Sequence, residues 1–259
     1  AETLGTERLY TAAQTRELDR CAIQDHGIPG ITLMSRAASA TFDCLLRQWP
    51  GVECVQVLCG TGNNGGDGFL IADLAHKRGI PTTVLQVGDP QKITGDALLA
   101  RQQALANGVK ITPFSTSPLL RLGVIVDAML GTGLGGEVRD EYREAIATVN
   151  GNSAPVLAVD IPSGLCADTG RVLGRAVRAD LTVTFIGLKR GLFTLAAADH
   201  AGAIEFNNLG VPPEIYAQVD CDSYRLELEP LLQRLPARPA LAHKGLYGTV
   251  LVVGGDYGM

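Results

Sequence analysis

Positive charge, aromatic side chains and long apolar runs are all scarce in this sequence of 259 residues. It has 22 lysines and arginines against 27 aspartates and glutamates, and it lacks the basic runs that contact nucleic acid. No apolar run approaches the roughly 20 residues of a transmembrane helix, and the N-terminus lacks the apolar core of a signal peptide. We therefore expect a cytoplasmic protein that binds neither nucleic acid nor membranes.

Cysteine pairs of the C-x-x-C type are absent as well. The six cysteines and the four histidines are scattered, which signals neither a zinc site nor a disulfide framework. Disorder is a poor explanation, since 46% of the residues are hydrophobic and only 19% are charged. A chain of this length can bury a large core, in one large domain or two small ones.

Short apolar runs alternate with amphipathic segments after residue 50. The runs are rich in β-branched residues and too short for helices, which predicts buried parallel strands. We predict an α/β fold, a Rossmann-like doubly wound and mostly parallel sheet with helices on both faces and two N-terminal helices. The predicted strands are 52–59, 82–87, 124–128, 156–159, 181–185, 203–207 and 224–228. The predicted helices are 11–26, 31–48, 67–78, 95–107 and 139–150.

Glycine-rich or polar sequence follows three of the predicted strands. These segments are CGTGNNGGDG at 59–68, DAMLGTGLGGE at 127–137 and DIPSG at 160–164. In a doubly wound sheet, ligands bind in the crevice beyond the carboxyl ends of the strands. We therefore expect all three segments to line one crevice.

The first segment contains the spacing G-x-G-x-x-G at Gly60, Gly62 and Gly65, and 131–136 contains a second match. Glycines at the end of a strand let the backbone approach a phosphate, which the following helix N-terminus can bind. The spacing alone is also compatible with a tight turn that has no ligand. Asp67 would repel a phosphate, so we interpret it as accepting hydroxyls, capping local amides or facing a cation.

Polar side chains end the next two strands. Asp127 and Asp160 each follow apolar strand residues, where a carboxylate is either a structural acceptor for loop amides or a functional group. Ser163 is not expected to be a nucleophile, because no G-x-S-x-G sequence surrounds it. The side chains of Asn64, Asp127 and Ser163 together offer three oxygens. Such a set is the chemistry of a hard cation site.

Four motifs together resemble one known family, the YjeF N-terminal-domain proteins, which are NAD(P)H-hydrate epimerases. The motifs are GTGNNGGDG at 60–68, VDAMLGTGLGG at 126–136, VDIPSGLCADTG at 159–170 and TFIGLKRGL at 184–192. HKGLYGTVLVVGG at 243–255 looks like the opening of the family's frequent partner, a ribokinase-like ADP-dependent dehydratase. The resemblance implies an epimerase domain at 1–226, a linker at 227–242 and the start of a truncated dehydratase domain at 243–259.

The resemblance also implies a substrate and site residues. The enzyme would interconvert the R and S forms of hydrated NADH or NADPH (NADHX, NADPHX) at nicotinamide carbon 6, for metabolite repair. Asp160 would be the general acid and base, and Lys189 a weaker candidate for a substrate charge. One potassium ion would be held by Asn64, Asp127 and Ser163, and ADP or ATP would serve only the dehydratase domain. The implied substrate-binding residues are Asn63, Asn64, Gly65, Gly66, Asp67, Gly131, Thr132, Gly133, Leu134, Gly135, Gly136, Glu137, Tyr142 and Asp160.

Two other functions stay open at this point. An NAD(P)-dependent oxidoreductase is supported by the glycine spacing and by Asp89, about 24 residues beyond Gly65. A non-catalytic nucleotide-binding interaction module would keep the pocket without the reaction. We also expect a homo-oligomer, and the sequence gives no preference between NADHX and NADPHX.

Overall fold

Seven parallel strands form the central sheet in the computed structural model, which describes residues 6–116 and 118–233. The strands of the chain are β1 (Thr6–Tyr10), β2 (Val55–Cys59), β3 (Thr82–Gln86), β4 (Lys110–Pro113), β5 (Val124–Ala128), β6 (Val156–Val159), β7 (Leu181–Phe185), β8 (Leu188–Lys189), β9 (Ala203–Asn207) and β10 (Ser223–Leu226). The central sheet has the order β4-β3-β2-β5-β6-β7-β9. Because every pair is parallel, all seven carboxyl ends meet at one edge.

Five longer helices and three short ones connect the strands in the described part of the chain. They are α1 (Ala12–Arg20), α2 (Gly30–Gln48), α3 (Asn63–Lys77), α4 (Gly95–Ala106), α5 (Asp140–Asn150), α6 (Ala197–His200), α7 (Ile215–Gln218) and α8 (Leu228–Leu232). Thr11 caps α1 in a capping box with Gln14, as its position before the apolar pattern predicts. The chain continues from α1 into a π-helical segment at Cys21–Asp25.

The core lies on both faces of the sheet. Successive side chains of a strand point to opposite faces, so Val57 and Val126 pack with α2, α3 and α4 on one side. Leu58 and Ile125 face the other side, where they pack with Ile146 of α5. The predicted doubly wound sheet with helices on both faces and two N-terminal helices is thereby confirmed.

The predicted strands agree with the structure to within three residues, but three strands were not predicted. β1, β4 and β8 are short, and β4 is an edge strand with exposed or half-exposed residues, so none carries a continuous apolar run. β1 pairs with β8, with Leu9 opposite Leu188. Among the described helices none is long and apolar enough to cross a membrane.

The start of α3 is a correction to the sequence prediction. A helix was predicted at 67–78, but α3 begins at Asn63 and takes in Gly65, Gly66 and Gly68. Glycine is a poor helix former, which is why the segment was predicted to be a loop. These glycines serve packing, since a Cβ on Gly65 would lie 2.2 Å from the carbonyl oxygen of Gly60 and one on Gly68 would lie 2.6 Å from the Cβ of Ala128.

Residues 8–224 form one compact unit, which contains the central sheet and the whole site described below. A second unit joins residues 1–7 to residues 225–259, and of it the structure describes Thr6, Glu7 and residues 225–233. The predicted boundaries at 226 and 242 therefore stay predictions. The motif at 243–255 lies outside the described residues.

We expect Gly65→Ala to lower the free energy of unfolding by about 1–3 kcal/mol. The new Cβ would meet a backbone carbonyl that cannot swing aside, and the helix-propensity gain of about 1 kcal/mol does not offset this clash. Gly133→Ala is the matched control, because its Cβ would meet nothing within 4 Å. Urea unfolding measures both, and equal midpoints for the two variants would contradict the prediction.

Candidate active site

A cleft of about 680 Å³ opens at the carboxyl edge of the sheet. Its walls come from α1, α2, the start of α3, the loop after β5 and the ends of β6 and β7. The predicted substrate residues that line it are Asn63, Asn64, Asp67, Gly131, Thr132, Gly133, Leu134, Gly135, Glu137, Tyr142 and Asp160. Gly65, Gly66 and Gly136 are not among the lining residues, and the first two are packed inside the protein.

The N-terminus of α3 forms one wall of this cleft. Gly62 is its N-cap and offers no side-chain cap, so the amides of the first turn are available to a ligand. The amides of a helix N-terminus and the helix dipole both favour an anion. The arrangement suits a phosphate group.

Asn64 projects from the first turn of α3 and is 8% exposed. Its side-chain oxygen and nitrogen have no hydrogen-bond partner among the described residues. A buried amide without partners costs about 1–3 kcal/mol, so the side chain is suited to a ligand that would satisfy it. Gly131 adjoins it, since a Cβ there would lie 3.4 Å from the Cβ of Asn64.

Asp127 and Ser163 form a buried pair beneath the cleft, and both are fully buried. The Ser163 hydroxyl donates to Oδ1 of Asp127 at 2.6 Å, and the Ser163 amide donates to Oδ2 at 2.8 Å. The Leu130 amide in turn donates to Oγ of Ser163 at 2.9 Å. These bonds join the loop after β5 to the turn after β6. Burial raises the pKa of Asp127 to about 6, against the opposing effect of the hydrogen bonds.

Asp160 and Lys189 form an ion pair at the floor of the cleft. Asp160 follows β6 with a φ of 67°, a left-handed conformation that Asp tolerates better than most residues. Lys189 is 1% exposed, and its ammonium group donates to the Asp160 carboxylate. The ammonium group also donates to the Thr184 hydroxyl at 3.0 Å and to the carbonyl oxygen of Phe185 at 2.9 Å. A buried cation with this set of partners is held in place, and it pairs with the Asp160 carboxylate.

The carboxyls of Asp67 and Asp19 also line the cleft, and neither accepts a hydrogen bond from Lys189. Burial, and then the charges of Asp160 and Asp19, raise the pKa of Asp67 well above its usual range. Burial is also the main cause that raises the pKa of Asp19 to about 6. Lys189 opposes both shifts but donates its hydrogen bonds elsewhere. The cleft therefore contains two carboxyls whose pKa values are raised, those of Asp67 and Asp19.

Several lining residues were missed by sequence reasoning. Thr15, Arg16 and Asp19 come from α1 and Met34 comes from α2, both distant in sequence from the glycine motifs. The one available signal was Asp19 beside the buried Leu18, on an otherwise amphipathic helix. The position of α1 is fixed by Asp168, which accepts a hydrogen bond from the Ala12 amide at 2.6 Å.

Comparison with known proteins matches residues 30–191 to the family described as YjeF-related protein N-terminus. The chain belongs to this family. The resemblance stated from the sequence motifs is thereby confirmed. The match begins at the first residue of α2 and ends two residues beyond Lys189, so the YjeF-type segment contains Asn64, Asp127 and Asp160 but not α1.

Two relatives and one solved structure extend this likeness of the YjeF-type chain. It is 45% identical over 251 residues, 97% of its length, to the "Bifunctional NAD(P)H-hydrate repair enzyme Nnr" of Coxiella burnetii, of which it covers 51%. It is 40% identical over 205 residues to the "NAD(P)H-hydrate epimerase" of Limosilactobacillus reuteri strain DSM 20016, covering 78% of the chain and 96% of that protein. The chain thus spans about half the length of the bifunctional relatives it matches.

The crystal structure of the yeast protein ynu0, YNL200c, has the same fold, with a TM-score of 0.71 at 18% identity. The match covers 82% of this chain and 93% of the yeast chain. At this identity the likeness concerns the fold alone, and it supports the doubly wound architecture of the YjeF-type chain.

The oxidoreductase alternative gains nothing from the geometry of the YjeF-type site. Asp89, its candidate ribose-binding carboxylate, accepts a hydrogen bond from the Gln91 amide at 2.9 Å. It is not among the described residues that line the cleft. Its role there is to cap a short 3-10 helix.

We expect Asp127→Asn to change how stability depends on pH. The pKa of Asp127 is about 6 in the fold, against 3.8 for an ordinary aspartate. Between these two pH values the folded protein keeps a proton that the unfolded chain has lost. The contribution of Asp127 to the free energy of unfolding therefore falls by about 3 kcal/mol as pH rises through this window. The free energy of unfolding of Asp127→Asn should not show this part of the decrease.

Denaturant unfolding at pH 4, 5, 6 and 7 in potassium-free buffer measures the effect as the difference between variant and wild type. Ser163→Ala is the companion variant. It removes a hydrogen bond that lowers the pKa of Asp127, so the decrease in the free energy of unfolding should extend to higher pH. Parallel profiles for all three proteins would contradict the prediction.

Proposed function

We propose that this chain epimerises the R and S forms of NAD(P)H hydrate at nicotinamide carbon 6. The relative of this name in Limosilactobacillus reuteri is matched over 96% of its length at 40% identity. The single structural observation that carries the proposal is the ion pair of Asp160 and Lys189 in the cleft. It supplies a fixed carboxylate for proton transfer, next to a helix N-terminus suited to phosphates.

The cleft offers different chemistry at its different walls. The amides at the start of α3 suit the pyrophosphate, since unpaired helix amides bind anions. The glycine loop 131–136 and the partly buried Tyr142 suit the remainder of the dinucleotide, because they combine close backbone approach with an aromatic surface. The neutral hydrated ring would then lie by the carboxyls, where a phosphate would be repelled.

Asp160 is the proposed acid and base at carbon 6. The substrate carbon carries a hydroxyl beside a ring nitrogen, so protonation of the hydroxyl lets it leave as water while the nitrogen lone pair forms an iminium. Water then adds to the other face and loses a proton. Lys189 supports this chemistry by holding the Asp160 carboxylate in one orientation.

Potassium is the proposed cation of the site, with Asn64, Asp127 and Ser163 as its ligands. Among residues 6–116 and 118–233, no group of three or more His, Cys, Asp or Glu side chains could hold a metal ion. An all-oxygen set from an amide, a carboxylate and a hydroxyl suits a hard cation, and the unpartnered Asn64 amide fits that use. When bound, the ion would supply a positive charge next to the anion site.

In the full-length protein we place this chain as the epimerase half of a bifunctional repair enzyme. The support is the "Bifunctional NAD(P)H-hydrate repair enzyme Nnr" of Coxiella burnetii, of which the chain covers 51%. The other half would carry the ADP-dependent dehydration of the S form. That the protein is a homo-oligomer and is located in the cytoplasm stays a prediction from the sequence.

Asp160→Asn should lower the epimerisation rate by about 10²- to 10⁴-fold, because the carboxylate can no longer transfer a proton. Hydrate binding should change little, since Asn is isosteric and tolerates the left-handed backbone. Chromatography of the R and S epimers measures the rate. Asp89→Asn is the matched control and should keep wild-type activity. Full activity in Asp160→Asn would overturn the assignment of the acid and base.

Potassium chloride should raise the thermal stability of the protein more than tetramethylammonium chloride at the same ionic strength. A ligand at a hundred times its dissociation constant adds about 2.7 kcal/mol. Asn64→Ala should lose this difference, while Asn63→Ala, an exposed neighbour, should keep it. Equal stabilisation by both salts in the wild type would contradict the potassium site.

A further inference from the structure

Inversion at carbon 6 places a demand that one carboxylate on one side of the ring does not meet. The hydroxyl departs from one face and water adds to the other, so a proton must be given at one face and removed at the other. Asp160 follows β6 and is held rigidly by the buried Lys189, which fixes it on a single side. A second proton-transferring group on the opposite side would serve the other face directly.

Asp67 lies in the cleft in a position to meet this demand. It projects from the second turn of α3, is partly buried and lines the cleft with Asp160. It makes no hydrogen bond or ion pair with any other described side chain or amide. Its carboxyl is therefore free to contact a ligand, unlike the hydrogen-bonded carboxylate of Asp160.

The two carboxyls reach the cleft from different elements of the fold. Asp67 follows β2, Asp160 follows β6, and β5 lies between these strands. Enzymes that invert a sugar carbon hold their acid and base about 6.5–9.5 Å apart on opposite faces of the ring. A flat nicotinamide ring fits between two carboxyls at such a spacing.

The charges around Asp67 favour its neutral form. The groups that face it are the carboxyls of Asp160 and Asp19 and the ammonium of Lys189, with the buried thiol of Cys59 beneath. The thiol adds no charge, because burial raises its pKa well above the usual range. Lys189 is paired with Asp160. Asp67 thus favours its neutral, proton-donating form beside an Asp160 carboxylate that accepts from Lys189, the arrangement of an acid and a base.

We propose that Asp67 is a second catalytic residue, which acts on one face of the ring while Asp160 acts on the other. The proposal rests on the epimerase function proposed above. It assigns proton donation to Asp67 in one direction of the reaction and to Asp160 in the reverse direction.

The step balances with water alone. Asp67 gives its proton to the hydroxyl, the bond from carbon 6 to oxygen breaks, and water leaves as the lone pair of the ring nitrogen forms the iminium. A second water adds to carbon 6 from the other face, the electrons of the iminium bond return to nitrogen, and Asp160 takes the proton. One water leaves and one enters, and the reverse reaction or exchange with solvent resets the two carboxyls.

Incubation of each purified epimer in H₂¹⁸O tests the proposal, with the inversion followed by chromatography and the ¹⁸O content by mass spectrometry. All rates are corrected for the enzyme-free reaction. Asp67→Asn should lower epimerisation by about 10²- to 10⁴-fold. It should still exchange the oxygen of one epimer without inversion, because Asp160 can give and take a proton on its own face. Asp160→Asn should exchange the oxygen of the other epimer only.

Two results would overturn the second catalytic residue. One is an Asp67→Asn variant that inverts both epimers at the wild-type rate, since Asp160 would then suffice. The other is loss of exchange for both epimers in Asp67→Asn, which would make Asp67 a binding residue. If the wild type itself inverts neither epimer, the proposed function fails instead. Thermal unfolding checks that each variant folds, Asp67→Ser replaces Asp67→Asn if that variant does not fold, and Asp89→Asn is the active control.

Discussion

Backbone contact between the loops that follow β2 and β5 fixes the geometry of the site. A Cβ on Gly60 would lie 1.9 Å from the carbonyl oxygen of Met129, and one on Gly65 would lie 2.2 Å from the carbonyl oxygen of Gly60. Only glycine permits such an approach. The contact places the start of α3 against the loop after β5, which sets Asn64 beside Gly131. The glycines thus act first as packing residues, and the anion-binding wall is a consequence.

The distribution of charge at the floor of the cleft follows from having one buried lysine beside the carboxyls of Asp19, Asp67 and Asp160. Lys189 donates to Asp160, to the Thr184 hydroxyl and to a backbone carbonyl, so its donors are used. Asp67 and Asp19 receive only its longer-range attraction, which does not cancel their burial and mutual repulsion. This imbalance raises the pKa of Asp67 and of Asp19, which an ion pair at each carboxyl would oppose.

The sequence was sufficient for the sheet, since the buried strands are short, nearly continuous apolar runs with the polar motifs at their carboxyl ends. It was also sufficient for the identity of Asp127, Asp160 and Ser163 as polar residues at one edge. It was not sufficient for the start of α3, because helix propensity counts glycine as a breaker and carries no information on interhelical or loop contacts. Nor did it pair Lys189 with Asp160, because their meeting depends on the left-handed backbone at the end of β6 and on the turn after β7.

The contribution of α1 shows why the site is larger than its motifs. Thr15 and Asp19 line the cleft, yet α1 lies before residue 30, where the family match begins. The helix is tied to the matched segment by Asp168, which accepts from the Ala12 amide. A carboxyl on α1 raises the pKa of Asp67 without touching it, so the protonation state of one cleft wall is set partly by another. The motifs therefore supply the groups of the site, while the helix outside them adjusts the charge under which those groups act.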